Sequence, residues 1–94
     1  WVGERIIYLR RYRILLEKKA VKQLKNMSKD ARNRIIEVLH ILRDEGFSRR
    51  LDIVKLRGSE GHYRIRVGKY RILFELAPDK VVIVHAVLPR KAAY

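Results

Sequence analysis

Apolar positions recur along this chain with two different periods, and the change falls near residue 50. Ala20, Val21, Leu24 and Met27 follow helical spacing, and so do Ile35, Val38, Leu39 and Leu42. Asn26-Met27-Ser28-Lys29 separates the two runs. Ser28 is placed to cap the second, with Asp30 in its first turn, and Gly46 supplies the stop. The pattern predicts a short strand over Tyr12–Leu16, a helix over Glu17–Leu24 and a second helix to about Glu45, folded back as a helical hairpin. From Leu51 the period is two, which predicts strands over Leu51–Leu56, Tyr63–Val67, Tyr70–Leu76 and Val81–Leu88. Pro78-Asp79 reads as a turn and Pro89 as the end of the last strand. That strand is apolar on both faces, so it is expected centrally, covered on one side by the helices.

The order β-α-α-β-β-β-β, with a helical hairpin on one face of a mainly antiparallel sheet, is an α+β plan. Ninety-four residues form one domain, here 12–94, preceded by an N-terminal extension, 1–11, in which Ile6-Ile7-Tyr8-Leu9 is a candidate extra strand.

The stretch from His62 to Arg71 carries the most chemistry. Gly68-Lys69 suits a two-residue turn with Gly first, the type II′ choice. Such a turn sets Val67 against Tyr70, Ile65 against Ile72 and Tyr63 against Phe74, leaving one face wholly apolar. The other face receives His62, Arg64 and Arg66, with Arg66 directly across from Arg71. Like charges opposed across a sheet are destabilising, so an anion is the natural occupant of that face.

Charge makes the anion a nucleic acid. Lys and Arg number 23 against ten Asp and Glu, a formal net charge of +13. Residues 1–25 and 49–71 each hold eight basic and two acidic side chains, whereas 29–45 hold four of each. With 48% hydrophobic residues, the chain is a folded domain with basic surfaces, not a disordered basic tail. No cysteine is present, which excludes disulfides, zinc ribbons and thiol nucleophiles. No apolar run approaches the ~20 residues that span a membrane, and Trp1–Tyr8 is too short and charged for a signal peptide, so a cytoplasmic protein is expected. The abundance of Lys, Arg and Glu leans toward a heat-adapted source.

Taken in order, Tyr12-x-Ile14 before a Lys-rich helix, Val54-Lys55-Leu56-Arg57-Gly58, Tyr63-Arg64-Ile65-Arg66, Gly68-x-Tyr70-Arg71 and Pro89-Arg90-Lys91-x-x-Tyr94 resemble the RelE branch of the RelE/ParE toxin superfamily over residues 12–94. The resemblance implies a RelE-like fold and a toxin that enters the ribosomal A site and cuts mRNA. The 2′-hydroxyl attacks the adjacent phosphate, so no metal or other cofactor is implied. By position, Arg64 and Arg66 match the family's basic pair, Arg71 its phosphate clamp, Arg90 its C-terminal arginine at the leaving group, and Tyr94 its base-stacking or orienting aromatic residue. Lys55, Arg57, Lys69 and Lys91 are the accompanying RNA-binding candidates. The implied partners are a RelB-like antitoxin, in a heterotetramer, and the ribosome with its RNA and mRNA.

One departure matters. Arg64 and Arg66 stand where well-studied members carry lysines, and arginine is not a conventional base. Either Arg66 acts electrostatically or another group takes the proton, with His62 the candidate on the same face. His85 alternates with Ile83 and Val87 and reads as a satisfied buried residue. Two other readings stay open: a ParE-like inhibitor of DNA gyrase with no chemistry, and a non-catalytic nucleic-acid-binding domain. For each arginine the plainer alternative is a solvated surface charge; for Tyr94 it is a frayed end. Lys18, Lys19, Lys22 and Lys25 read as a solvated helix face.

Overall fold

The computed structural model describes residues 11–92. The candidate strand at Ile6–Leu9, the rest of 1–10, and Tyr94 lie outside the described residues. Five strands form one sheet: β1 (Arg13–Leu16), β2 (Asp52–Lys55), β3 (His62–Val67), β4 (Tyr70–Ala77) and β5 (Val81–Pro89), in the order β1-β5-β4-β3-β2. Strands β2 to β5 are antiparallel neighbours, and β1 runs parallel to β5. Two helices, α1 (Lys18–Lys25) and α2 (Lys29–Glu45), separate β1 from β2. This is the predicted α+β order, with each element within a few residues of its expected bounds. The middle of the sheet is β4, and β5 lies one place off centre, flanked by β1 and β4. The strand also runs through Pro89, paired with Tyr70, because a proline at a strand end forfeits no ladder bond that the sheet needs.

Local chemistry explains the helix boundaries. Ser28 Oγ accepts from the N–H of Ala31 at 3.2 Å, and Asp30 sits in the first turn, where the helix dipole favours a negative charge. At the other end Gly46 takes φ 75° and donates its N–H to the Leu42 carbonyl. A Cβ there would lie 3.3 Å from the Tyr12 ring, so the glycine also lets the start of the chain cross the helix end. Arg11 and Tyr12 both donate their N–H groups to the Arg43 carbonyl, at 2.8 and 3.0 Å.

The helices cover one face. Ala20, Leu24, Ile35, Leu39 and Leu42 pack on Ile65, Val67, Ile72, Phe74, Val82, Val84 and Val87. Phe47 adds an aromatic cluster, 4.9 Å from the Tyr63 ring and 5.9 Å from Phe74. Strict alternation along β5 does not produce this core. The pairing shifts register between Leu73–Ala86 and Phe74–Val84, leaving His85 as the extra residue of a β-bulge. Both Val84 and Val87 therefore face the helices, and His85 is turned to the opposite face with its side chain 32% exposed. His85 keeps the face that alternation gives it with Ile83 and is hydrogen-bonded as expected, but it is only partly buried, and Val87 is the residue that the bulge moves to the helix side. Past the end of β1, the N–H of Val87 finds Gln23 Oε1 on α1 at 2.7 Å.

An apolar groove of about 590 Å3 remains between the edge strand and α2, lined by Leu15, Leu16 and Ile36 among others. No helix of the described residues is long and apolar enough to cross a membrane.

Phe74, 1% exposed, fills the centre of this core, whereas Leu15 is 55% exposed. Phe74→Ala is expected to cost about 3–5 kcal/mol of stability, and Leu15→Ala to change it by no more than about 0.5 kcal/mol. Urea unfolding of the two variants measures both.

Candidate functional site

The β3–β4 hairpin forms in the predicted register: Val67 pairs with Tyr70, Ile65 with Ile72, Tyr63 with Phe74, and Arg66 with Arg71. Gly68 takes φ 57° in the turn, the left-handed value that a type II′ turn asks of its first central residue. A Cβ on Gly68 would also stand 3.1 Å from the Arg34 guanidinium, which packs over the turn from α2. Arg34 was not foreseen, because a lone arginine on a helix flank carries no signal of its distant neighbour. On the other side of the turn, the N–H of Arg90 donates to the Lys69 carbonyl at 2.7 Å. A short 3-10 turn, Arg90–Ala92, is thereby seated beside the hairpin, and Gly68, Lys69, Pro89, Arg90 and Lys91 enclose a shallow hollow of about 430 Å3.

Arg71 is the pivot of the cluster. It is 4% exposed, the buried charged residue among those described. Its Nη1 donates to the carbonyls of Gly68 at 3.0 Å and Tyr70 at 2.8 Å, while its buried Nε has no partner among the described residues. Burial lowers its pKa from the ordinary guanidinium value, and the positive charges of Arg64, Arg66 and Arg90 lower it further. It stays protonated at neutral pH. Those neighbours place four arginines in one field, on the sheet face away from the helices.

Arg66 is exposed and held by Asp52 across the β2–β3 pair, Nε to Oδ2 at 2.7 Å. Asp52 was also missed: its partner is set by strand register, which spacing alone does not reveal. Its carboxylate offsets part of the repulsion between Arg66 and Arg71. An exposed ion pair of this kind contributes at most about 1 kcal/mol, so the cluster keeps a net positive field. The arrangement can bind a phosphate group, with a fixed buried guanidinium beneath and further arginines around it.

The other candidate residues divide. Lys69 and Lys91 stand at the arginine end. Lys55 pairs with Tyr63 at the far end of β2, where it makes a 3.9 Å contact with Glu60, and Arg57 lies beyond it. His62 shares the arginine face, but four residues of strand, about 13 Å, separate it from Arg66. The structure brings His62 together with Glu75 and His85 instead. His85 bonds Glu17 through Nδ1 at 2.8 Å and Glu75 through Nε2 at 3.1 Å, and the Glu17 bond above all raises its pKa from the ordinary imidazole value.

A family model described as the ParE toxin of type II toxin–antitoxin systems matches residues 14–94. The toxin RelE3 of Methanocaldococcus jannaschii is 37% identical over 84 residues, spanning 87% of this chain and 94% of the relative. Among solved structures, the RelE–RelB complex of Pyrococcus horikoshii aligns with a TM-score of 0.75 at 32% identity, covering 85% of this chain and 96% of that one. The RelB–RelE antitoxin–toxin complex of Methanococcus jannaschii aligns with a TM-score of 0.74 at 36% identity, covering 85% and 94%.

Sulfate is expected to stabilise the fold more than chloride at matched ionic strength, since only the divalent oxyanion satisfies several guanidinium groups at once. Each kcal/mol of binding free energy raises the thermal midpoint by roughly 4–8 °C in a domain of this size. Arg90→Gln, an exposed position, is expected to shrink that increment without lowering the midpoint in chloride.

Proposed function

The chain belongs to the RelE/ParE toxin family of type II toxin–antitoxin systems, and from that premise we propose that it is an endoribonuclease that cuts mRNA in the ribosomal A site. The observation that supports this reading is the arginine cluster around buried Arg71, with its guanidinium fixed by two carbonyls and the hollow of the Arg90 turn beside it.

In this reading the 2′-oxygen of one nucleotide attacks its own 3′-phosphorus. The bond from phosphorus to the 5′-oxygen breaks, leaving a 2′,3′-cyclic phosphate and a 5′-hydroxyl. Because the nucleophile is part of the substrate, the protein's task is to place it and to stabilise charge. Arg71 clamps the phosphate. Arg64 and Arg66 favour the ionised 2′-oxygen, and Arg90 hydrogen-bonds the 5′-oxygen as it leaves, stabilising its negative charge until it takes a proton from solvent. An arginine cannot accept the 2′-proton, so the carboxylate of Asp52, 2.7 Å from Arg66, takes it. Tyr94 supplies the stacking surface for a base, and Lys69 and Lys91 hold the flanking phosphates. Lys55 and Arg57, at the far end of the sheet, meet ribosomal RNA less specifically. Such a toxin acts in the cytoplasm.

The solved relatives are complexes with RelB, and a RelB-like antitoxin is the partner we assign to this chain, in a heterotetramer. Exposed Leu15, Leu16 and Ile36 give its apolar side chains a place to bury. Acidic segments then mask the arginines, which at a net charge of +13 would otherwise bind RNA indiscriminately.

Cleavage mapping in a translating extract tests the proposal. Cuts within A-site codons that require ribosomes are expected, reduced about 10²–10³-fold by Arg71→Ala and about 10²–10⁴-fold by Asp52→Asn. Full activity in Asp52→Asn removes its assignment as proton acceptor. No cleavage at saturating protein overturns the nuclease reading. The ParE description of the matching family model favours gyrase inhibition as the second reading, and a DNA supercoiling assay on the same preparation decides it.

A further inference from the structure

At the other end of the arginine-bearing face, three strands bring three metal-ligating side chains to one point. His62 comes from β3, Glu75 from β4 and His85 from β5, and their ligating atoms all lie within 4.8 Å of one another. His85 Nε2 is 3.1 Å from Glu75 Oε1, and His62 Nε2 is 3.8 Å from the same oxygen. Two ligands bound about 2.1 Å from a tetrahedral zinc ion stand about 3.4 Å apart, so these separations bracket the required spacing. From these contacts we propose that His62, Glu75 and His85 bind a divalent first-row transition-metal ion, of which zinc is the reference.

The outer contacts of the two rings support this independently. His85 Nδ1 lies 2.8 Å from Glu17 Oε1, and His62 Nδ1 lies 2.9 Å from the Glu60 carbonyl. An oxygen acceptor at Nδ1 holds the ring hydrogen there and leaves the Nε2 lone pair directed at the shared centre. Carboxylate and carbonyl partners of this kind are the usual second layer around metal-bound imidazoles. The Ser59 hydroxyl, 2.7 Å from His62 Nδ1, steadies the same edge.

The backbone contributes as well. Register sets Glu75 directly opposite His62 on β3, and alternation puts His85 on the same face of β5 as Ile83, the residue paired with Glu75. All three side chains stand on strands, not on a loop, so little ordering is required when an ion enters. Each is about one-third exposed (35%, 35% and 32%), which leaves a coordination position open to water. Two imidazoles and a carboxylate suit zinc, cobalt and nickel better than magnesium or calcium, which favour all-oxygen sites. The site lies four strand residues, about 13 Å, from Arg71 along β4 and has no part in the cleavage proposed above. Its role is to pin β3, β4 and β5 together at the end where β3 enters the sheet.

Cobalt titration of the tag-free full chain, stripped with chelator, tests the site. Saturation at one ion per chain is expected, with the visible absorption of four-coordinate cobalt, bleached by one equivalent of zinc. His62→Gln is expected to weaken binding about tenfold or more, while His40→Gln, at an exposed histidine on α2, leaves it unchanged. His62 is at a strand end, so that variant should keep its metal-free melting temperature; if it does not, Glu75→Gln replaces it. Absence of saturable binding, or equal binding in His62→Gln and Glu75→Gln, overturns the proposal. The 3.1 Å contact is then a protonated His85 bridging two carboxylates.

Discussion

The register of the β3–β4 hairpin governs everything else in this domain. Because successive strand residues point to opposite faces, a slip of one residue would exchange the two faces of the sheet. Ile65, Val67, Ile72 and Phe74 would be carried out to water, and Arg64, Arg66 and Arg71 driven under the helices. The two-residue turn at Gly68 holds the register, since Gly68 accepts the left-handed backbone at no steric cost. One turn thus assembles the apolar core and the cationic face in a single step. The face would be unstable alone. It persists because the energy gained behind it, in the helix-covered core, exceeds the repulsion in front.

That repulsion is managed in two ways. Arg66 is given a carboxylate, Asp52, on the neighbouring strand, and Arg71 is given carbonyl oxygens from its own turn. Carbonyl dipoles satisfy a guanidinium without cancelling its charge. The residue that is buried and immobile therefore remains fully cationic, while the neutralised one is exposed and free to exchange its partner. In the proposed cleavage a phosphate benefits from that division of labour, because the anion would displace Asp52 from Arg66 but find Arg71 already in place.

The hairpin was legible in the sequence because its information is local: alternation, a Gly-Lys turn and the pairing they imply all lie within a dozen residues. The helix bounds were legible for the same reason, at Ser28 and Gly46. Contacts set by long-range register were not. Asp52 meets Arg66, and Arg34 meets Gly68, only after the sheet and the helix are docked. The bulge at His85 was hidden too, since Val84, His85, Ala86 and Val87 read as unbroken alternation until the pairing with β4 is known. The inserted residue moved Val87 into the core, while the meeting of His62, Glu75 and His85 follows from the pairing of β3 with β4 and of β4 with β5. The family resemblance carried the reading of Arg64, Arg66, Arg71 and Arg90 further than the residues alone would allow.

The parallel pairing of β1 with β5 has a consequence for how the chain reaches this structure. β2 to β5 form a meander in which each strand finds a near neighbour in sequence, whereas Arg13 must find Val81, 68 positions further along the chain. Closing so long a loop costs more entropy than closing a hairpin, and contacts of high sequence separation slow folding. The first strand is therefore expected to join last, adding to a meander whose β5 edge is still open. Until it does, the backbone groups of Val82 and Val84 offer an unpaired edge to any extended segment that arrives first. A chain made beside a partner with such a segment has a competitor for its own first strand built into its folding order.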